Sequence, residues 1–362
     1  MKQYTHEEKC YIWLSAVKGM TDARFFKLLK AANTVGEIWN EPDRFEHLLE
    51  SRVFDELLKI HTPAHMDEIF ARLEKHEITA LTMLSPEYPD SLAEIASPPR
   101  VLFVKGSLEL SHAKQFGIVG TRNPTYDGLK AAREVSAGLA ENGVAIVSGL
   151  ALGIDAAAHT ACLDAGGRSI AVLGNGLNSV YPPQNEGLAQ RILDSGGSLV
   201  SELMPAERAS KWSFPRRNRI ISALSAGIAV IEGSLRSGAL ITANCALDQG
   251  KDVFAVPGSP YSICAEGTNH LIQNGAYPLL SSWDIMEGMR WGARDDKNAP
   301  EAPPDLDETE QKVYDLLRRE PLSVDEIQNV TGFSTQKLNS CLTMLTLKAI
   351  IVKQPGNIFR LV

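Results

Sequence analysis

Short apolar runs, each ending at a turn, recur through the middle of the chain and restrict its fold more than any other feature. They alternate with segments of helical pattern, such as residues 128–143 and 155–167. Because the runs are apolar throughout, they predict strands buried on both faces, as in a parallel sheet. Helices between parallel strands require right-handed crossovers, so we predict an α/β fold with a doubly wound, mainly parallel sheet. The runs are FGIVG (116–120), VAIVSG (144–149), SIAVLG (169–174), SLVSEL (198–203), IAVIEG (228–233) and DVFAVPG (252–258).

Two different patterns flank this region, and the length of 362 residues suits two or three domains. Residues 1–65 space their apolar side chains as a small helical bundle does. Residues 291–305 are polar and rich in proline, which is typical of a linker. Residues 306–362 predict three helices and a hairpin turning at Pro355 and Gly356, the pattern of a winged helix-turn-helix domain. We therefore assign residues 66–290 to the α/β domain.

Composition excludes several classes of protein. No apolar run approaches the roughly 20 residues that cross a bilayer, and the polar start MKQYTHEEKC is not a signal peptide. Five scattered cysteines without a CxxC pair argue against a zinc site or a disulfide framework and favour the cytoplasm. With 36 Lys and Arg against 44 Asp and Glu, the net charge is −8, so any binding of nucleic acid has to be local. We expect no metal and no cofactor.

Glycine-rich turns follow several of the predicted strands. In a doubly wound sheet the carboxyl ends of the strands form the ligand site, and glycine lets backbone N–H groups approach a phosphate. Gly120, Gly149 and Gly174 occupy such turns, and Arg122 in the first turn could fork onto a phosphate. A single loop of this kind often makes only a tight turn, but several along one sheet edge favour an anion site. Neither GxGxxG nor GxxxxGK[ST] is present, which disfavours dinucleotides and P-loop nucleotides.

The sequence offers no complete catalytic constellation. It contains no GxSxG or HExxH motif. Asp155 and His159 would share a helix face, and we expect Asp155 to cap that helix and His159 to pack nearby rather than bind metal. Glu202 and Glu232 follow strands, but nothing else that a reaction needs accompanies them. We predict no catalytic residues and a protein that is not an enzyme.

The segment SKWSFPRRNR, residues 210–219, concentrates cations and aromatic rings in an acidic chain. It joins a predicted strand to a predicted helix, which places it at the same carboxyl edge. Single-stranded nucleic acid is held by a cationic groove with rings that stack on bases. Lys211 and the arginines supply the charge, and Trp212 and Phe214 supply the rings. The alternative is a solvated charge run whose rings belong to the core.

A series of motifs resembles one family. In order they are VGTRNPTYDG, SGLALGIDAAAH, VLGNGLNSVYPPQN, SELMP, FPRRNRIISALS, IEGSLRSGALITANCALDQGKDVFAVPG and EGTNHLIQNGA. Together they resemble the DprA/Smf family of DNA-processing proteins, most densely over residues 66–290. The resemblance implies an extended Rossmann fold with a SAM- or helix-hairpin-helix-like N-terminal domain and a C-terminal winged helix. It also implies binding of single-stranded DNA without hydrolysis, protection of incoming strands in natural transformation, loading of a RecA-type recombinase, and a homodimer formed through the Rossmann domain.

The resemblance also implies roles for individual residues. Arg122 matches a phosphate-contacting arginine in a Gly-x-Arg turn. Lys211 and Phe214 match a Lys-x-x-Phe pair, whose lysine meets the DNA backbone and whose ring stacks on a base. Ser237 and Gly238 match a loop that lines the base pocket. The predicted set for single-stranded DNA is Gly120, Arg122, Gly149, Gly174, Lys211, Phe214, Arg217, Asn218, Arg219, Ser237, Gly238 and Thr242.

The functions of the winged helix, the N-terminal bundle and the α/β domain each leave alternatives open. Residues 305–362 hold seven Lys or Arg against eight Asp or Glu, and the predicted recognition helix has only Lys337 and Lys348. We therefore expect the winged helix to contact protein or to regulate rather than to read duplex DNA, and the N-terminal bundle to be an interaction module. A nucleotide-processing enzyme of the phosphoribohydrolase type is a second hypothesis, although its PGGxGTxxE signature is not matched. A winged-helix transcription regulator is a third.

Overall fold

The computed structural model describes residues 2–107, 109, 114–292, 306–318, 321–348, 350–354 and 357–361. The chain divides into two compact units, Met1–Ala293 and Arg294–Val362. Most of the predicted linker (residues 293–305) and the predicted wing turn at Pro355 and Gly356 lie outside the described residues. Within the described ranges, no helix has both the length and the apolar character needed to cross a membrane.

The N-terminal region is helical, and its helices extend further than predicted. Thr5, Thr21, Thr34 and Thr62 each cap a helix with the side-chain oxygen, which sets the four starting points. The last of these helices crosses the predicted boundary at residue 65, because its buried face continues to Leu73. The elements are α1 (His6–Ala16), α2 (Asp22–Ala31), α3 (Val35–Asn40), a 3-10 helix (Pro42–Leu48), α4 (Ser51–Ile60) and α5 (Pro63–Lys75).

A nine-stranded sheet forms the centre of the first unit. Its strands are β1 (Ile78–Thr82), β2 (Val101–Gly106), β3 (Gln115–Val119), β4 (Ala145–Ser148), β5 (Ser169–Val172), β6 (Ser198–Ser201), β7 (Gly227–Val230), β8 (Asp252–Ala255) and β9 (Tyr277–Pro278). The spatial order is β1-β2-β6-β5-β4-β3-β7-β8-β9. Strands β3 to β9 are parallel, and β2 and β1 add an antiparallel edge. The predicted mainly parallel, doubly wound α/β fold is confirmed.

Helices cover both faces of the sheet. They are α6 (Asp90–Ala93), α7 (Tyr126–Glu141), α8 (Ile154–Asp164), α9 (Glu186–Asp194), α10 (Ser213–Leu224), α11 (Gly238–Asp248), α12 (Glu266–Gln273) and α13 (Ser282–Gly288), with 3-10 turns at Pro183–Asn185 and Ile263–Ala265. One core joins α7, α8 and α13 to the sheet through residues such as Phe116 and Ile146, and another joins α10 and α11 through Val147 and Ile228. The N-terminal helices share a third core with β1, β2, β5 and β6.

The strand order reverses its direction between β3 and β7. From β3 the chain adds β4, β5 and β6 on one side, whereas β7, β8 and β9 follow on the other. The loops after β3 and β7 therefore diverge and leave a crevice at the carboxyl edge, where open α/β sheets bind their ligands. The connection from β6 to α10 ends at the same edge, and residues 210–219 span the end of this connection and the first turns of α10.

The second unit has the predicted winged helix-turn-helix architecture. It contains α14 (Glu308–Leu317), β10 (Leu322–Ser323), α15 (Val324–Thr331), α16 (Thr335–Leu347), β11 (Ile351–Gln354) and β12 (Ile358–Leu361). Strand β12 lies between β10 and β11 and pairs with both in antiparallel register. Val313, Ile327, Leu338 and Leu345 form its buried core.

Candidate nucleic-acid interface

A cleft of about 450 Å³ opens at the reversal point between β3 and β7. Its walls come from the end of β3, the loop before α8, the first turns of α10 and the start of α11. We call it the primary cleft. The predicted residues that line it are Gly120, Arg122, Lys211, Phe214, Arg217, Asn218, Ser237, Gly238 and Thr242.

Cations and aromatic rings meet at the mouth of the primary cleft. The guanidinium carbon of Arg122 lies 5.4 Å from the centroid of the Phe214 ring, a cation–π distance. The Lys211 ammonium lies 5.1 Å from the ring centroid of Trp212, whose side chain is 74% exposed. Arg122 and Lys211 are themselves exposed. This rim therefore presents two accessible positive charges beside two rings, which suits a ligand with both phosphate and aromatic groups.

Tyr181 is a ring that the sequence reasoning missed. Its centroid lies 5.6 Å from that of Phe214, and its side chain is 47% exposed. It belongs to the turn that follows β5, so it arrives at the same sheet edge as the residue 210–219 segment. An aromatic residue in a turn after a predicted strand was the signal that could have identified it. Tyr181 and Phe214 therefore place two aromatic rings side by side at this edge.

Arg217 lies beneath the primary cleft and is held by the strand ends. It is only 6% exposed, and its Nη1 atom donates to the carbonyl oxygen of Gly149 at 2.8 Å and to that of Val172. Burial lowers the pKa of Arg217 to about 10, although the Asp155 carboxylate opposes the shift. This side chain braces the ends of β4 and β5 and contributes its positive charge from below.

Two predicted glycines make room for protein side chains. A Cβ at Gly149 would lie 2.4 Å from Arg217 Nη2, and a Cβ at Gly174 would lie 2.7 Å from Phe214 Cδ1. Neither residue lines the primary cleft. The sequence predicts that they admit a phosphate, but in the structure they admit Arg217 and the Phe214 ring, because the turns that contain them pack directly against α10.

Asp155 fixes the loop before α8 instead of capping the helix. Its Oδ2 atom accepts N–H groups from Gly149 at 3.1 Å and Ala151 at 3.4 Å, and the helix begins after Gly153 without a side-chain cap. Burial raises the pKa of this carboxyl, while the positive charge of Arg217 opposes the shift. Asp155 and Arg217 are therefore buried groups of opposite charge at the floor of the cleft, and both side chains are engaged by backbone groups.

His159 is a packed core residue, as expected. It is fully buried, and its Nδ1 atom lies 2.6 Å from Ser169 Oγ. Because Ser169 Oγ donates its proton to the Ile146 carbonyl at 2.8 Å, Nδ1–H is the donor to serine. Burial, with the charge of Arg217 as a second cause, lowers the pKa of His159 to about 3. Among the described residues, no cluster of three or more His, Cys, Asp or Glu side chains is placed to hold a metal ion.

The opposite wall is the start of α11. Ser237 caps this helix by accepting the Ala239 N–H at 3.3 Å. Asn218 Nδ2 donates to the Gly238 carbonyl at 3.2 Å, which ties the wall to α10. A Cβ built on Gly238 would meet no atom within 4 Å, so this residue faces open space in the cleft. Thr242 is buried one turn further along the helix.

The structure does not bring Arg219 to the primary cleft. Its Nη2 atom lies 2.5 Å from Glu202 Oε2, and Arg219 lines a separate cavity with Cys245 and Lys251. Arg216 also contacts Glu202, at 3.2 Å, and reaches Asp22 of α2 at 3.1 Å. These two arginines lie on another face of α10 because a helix turns about 100° per residue.

The carboxylates considered for acid–base work both have structural partners. Glu202 is bound by the arginines just described. Glu232 accepts the Thr125 N–H at 2.9 Å and its hydroxyl at 2.5 Å, which fixes the loop after β3. The two glutamates therefore do not form a reactive pair.

Comparison with known proteins gives consistent matches. The sequence model of DNA recombination-mediator protein A matches residues 79–290, and that of the DprA winged helix domain matches residues 297–357. Protein Smf of Synechocystis is 33% identical over 97% of this chain and 98% of its own length. DNA processing protein DprA of Streptococcus pneumoniae is 37% identical over 74% of this chain and 98% of its own.

Two solved structures resemble the fold at useful levels of identity. The crystal structure of DNA processing protein A from Streptococcus pneumoniae covers 79% of this chain and 98% of its own at 35% identity, with a TM-score of 0.67. DNA processing protein A from Helicobacter pylori, described for its unique single-stranded DNA binding mode, covers 59% of this chain and 96% of its own. Its identity is 28% and its TM-score is 0.54.

Proposed function

Because the chain belongs to the family of DNA recombination-mediator protein A, we propose that it binds single-stranded DNA in the primary cleft. The observation that carries this proposal is the convergence of Arg122, Lys211 and Phe214 at the reversal point of the sheet. A cationic rim next to exposed rings is the arrangement that single strands require, since their bases are free to stack. The Helicobacter pylori relative, described for binding single-stranded DNA, supports the same assignment.

Different residues of the primary cleft would bind different parts of the strand. Arg122 and Lys211 would contact phosphates, and Phe214 would stack on a base with Tyr181 extending the surface. The guanidinium of Arg122 lies over the Phe214 ring, so a base that stacks on this ring has to displace the guanidinium. The displaced guanidinium can then donate hydrogen bonds to a phosphate of the same strand. Asn218, Ser237, Gly238 and Thr242 would border the base, and Arg217 would add charge from below.

The finer biological role rests on the family resemblance. We propose that the protein protects incoming strands during natural transformation or related recombination and loads a RecA-type recombinase onto them, without catalysing a reaction. The structural partners of Glu202, Glu232 and Asp155 support a non-catalytic site. All five cysteines are unpaired, which supports a reducing compartment, the cytoplasm.

A homodimer through the Rossmann domain is also part of the proposal. Tyr261, Ile263 and Leu280 are 95%, 69% and 80% exposed, and they lie close in sequence to β9 and α12 at one edge of the sheet. Exposed large apolar side chains near this edge of the sheet support an interaction site there. Residues 306–362 form part of a separate compact unit, and we propose that this winged helix contacts protein or regulates.

A direct titration tests the central proposal. Short single-stranded and duplex oligonucleotides should be compared by fluorescence anisotropy, with nucleotide hydrolysis assayed in parallel. We expect much tighter binding of the single strand and no hydrolysis. Equal affinity for both forms would overturn the assignment, and turnover of a nucleotide would favour the phosphoribohydrolase-type enzyme instead.

Variants of the rim test the roles of its residues. Replacing both Arg122 and Lys211 with alanine should weaken binding and reduce the slope of log affinity against log salt by about 1.4, roughly 0.7 for each lost phosphate contact. Phe214→Ala should cost about 1–3 kcal/mol of binding through lost stacking. Thermal unfolding of each variant separates a binding defect from a folding defect. An unchanged salt slope would remove the two cations from the phosphate path.

A further inference from the structure

A second cleft, of about 600 Å³, lies beside the primary cleft and shares Arg122 with it. It is bounded by the loop after β3, by one face of α7 and by the first turns of α8. The residues that matter here are Arg122, Asn123, Leu129, Arg133, Gly153 and Thr160. Nothing in the proposed function uses Arg133 or Thr160.

The wall between the two clefts is a rigid contact. Ile154 N–H donates to the Thr121 carbonyl at 3.2 Å, and a Cβ at Gly153 would lie 2.4 Å from that same oxygen. Gly153 has a φ of 82°, which a residue with a side chain would adopt only with strain. The start of α8 is therefore packed directly against the turn that carries Arg122, so the backbone of Arg122 is fixed between the clefts while its exposed side chain can move.

The second cleft has a positive lining without an internal counter-charge. Arg122 and Arg133 are the charged residues that line it, and both are exposed. No ion pair involves Arg133 among the described residues, and its neighbour Glu134 pairs with Lys130 at 3.7 Å. Thr160 adds a hydroxyl group opposite. The lining can thus donate hydrogen bonds to an anion without first breaking a protein ion pair.

The primary cleft is too small to contain a whole bound strand. Pockets of this size hold a single small ligand, whereas single-strand sites extend over roughly 4–16 nucleotides. A strand held in the primary cleft therefore has to leave it and continue along the surface. An exit past Arg122 leads into the second cleft, where Arg133 is the next accessible cation.

We propose that the second cleft is a phosphate-binding subsite for the continuation of the same DNA strand, with Arg133 as its principal contact. This inference rests on the proposed function, because it needs a strand in the primary cleft. Arg133 adds a phosphate contact and so lengthens the site, while the bases of the continuing strand face solvent or Leu129.

The length dependence of binding tests this inference. Anisotropy titrations of the full chain should use oligothymidines of roughly 4, 6, 8, 12 and 16 nucleotides, the range of known site sizes. Arg133→Ala should match the unmodified protein on the shortest strand that binds and lose about fivefold in affinity on the longer strands. The salt slope on the longer strands should fall by about 0.7. Arg133→Lys should retain most of the affinity, since it keeps the charge.

Arg52→Ala provides a matched control, because Arg52 is an exposed arginine on α4 that lines neither cleft. It should leave affinity unchanged at every length. If Arg133→Ala binds strands of every length as tightly as the unmodified chain, this inference is overturned and the proposed function is not. An equal loss at the shortest length would also overturn it, since Arg133 would then act in the primary cleft. No binding by the unmodified chain would overturn the proposed function and this inference with it.

Discussion

Glycines at one sheet edge have different purposes, which the structure distinguishes residue by residue. At Gly174 a side chain would strike the Phe214 ring, whereas at Gly238 it would enter the open primary cleft. The first glycine therefore serves the packing of the protein, and the second leaves space for a ligand. This difference can be tested without altering any charged group.

We expect Gly238→Leu to weaken binding of single-stranded DNA by about 1–3 kcal/mol, the cost of overpacking a fitted site. Its thermal stability should be unchanged or slightly higher, because leucine favours helix over glycine. Gly174→Ala is the contrasting variant and should lower the melting temperature by forcing Phe214 to shift. Normal affinity in a folded Gly238→Leu protein would show that no base occupies this part of the cleft.

His159 predicts a pH dependence of stability. Its pKa is about 3 in the folded protein and about 6.5 when unfolded, so the unfolded chain binds the extra proton below pH 6.5. The contribution is fully present above pH 6.5 and is lost as the pH falls towards 3. The free energy of unfolding should therefore decline by about 1.4 kcal/mol per pH unit from this residue. Denaturant titrations between pH 6 and pH 4.5 should show that the free energy of unfolding of His159→Gln falls less steeply than that of the unmodified protein, by about 1.4 kcal/mol per pH unit. Equal pH dependence in the two proteins would contradict the low pKa of His159.

The run RRNR, residues 216–219, shows best how much of the site the sequence predicts. Phe214, Arg217, Asn218 and Ile221 follow helical spacing and all line the primary cleft. Arg216 and Arg219 fall on another face and bind Glu202. In the sequence, the three arginines of this run are adjacent and look equivalent. Which of them faces the cleft depends on where α10 begins, at Ser213, because the start sets the helical phase. Tyr181 was missed because it comes from a distant turn.

At the scale of elements, the buried parallel strands were predictable and the edges were not. Strands β3 to β8 are almost entirely buried, and short apolar runs that end at turns marked them in the sequence. Strand β9 has two residues, too few for any periodicity, and β1 and β2 lie outside the β–α alternation. The N-terminal helices share a core with β1 and β2, which no local pattern can indicate because those contacts join distant residues.

A charge network joins α2 to α10 and predicts a stability effect. Glu202 lies between Arg219 and Arg216, while Asp22 reaches Arg216 and Arg100. The Glu202 side chain is 6% exposed, so Glu202→Gln leaves arginine charge without a counter-ion and should cost about 3 kcal/mol of unfolding free energy. Asp22→Asn is the control: its side chain is 29% exposed, and it should cost at most about 1 kcal/mol. Urea unfolding of both variants measures the difference, and equal losses would contradict the proposed burial effect.

Across the whole molecule, an acidic chain places three exposed cations around two adjacent clefts, while others such as Arg52 are exposed elsewhere. The net charge of −8 disfavours general attraction to nucleic acid. Arg122, Lys211 and Arg133 are exposed around the two clefts, so phosphate contacts concentrate there. The surrounding negative charge would confine DNA to this edge and oppose binding elsewhere.

The winged helix is the part of the molecule where this charge argument gives a distinct prediction. Helix α16 contains Lys337, whose ammonium lies over the Phe333 ring, and Lys348 at its end binds Glu310 at 2.7 Å. Because a duplex-reading helix needs free cations, the isolated fragment 306–362 should not bind duplex DNA measurably, and a chain ending at residue 292 should bind single strands within about twofold of the full protein. Gel-shift and anisotropy titrations measure both quantities. A large loss of DNA affinity on truncation would instead make the winged helix a direct DNA contact, and its acidic balance would then require a different explanation.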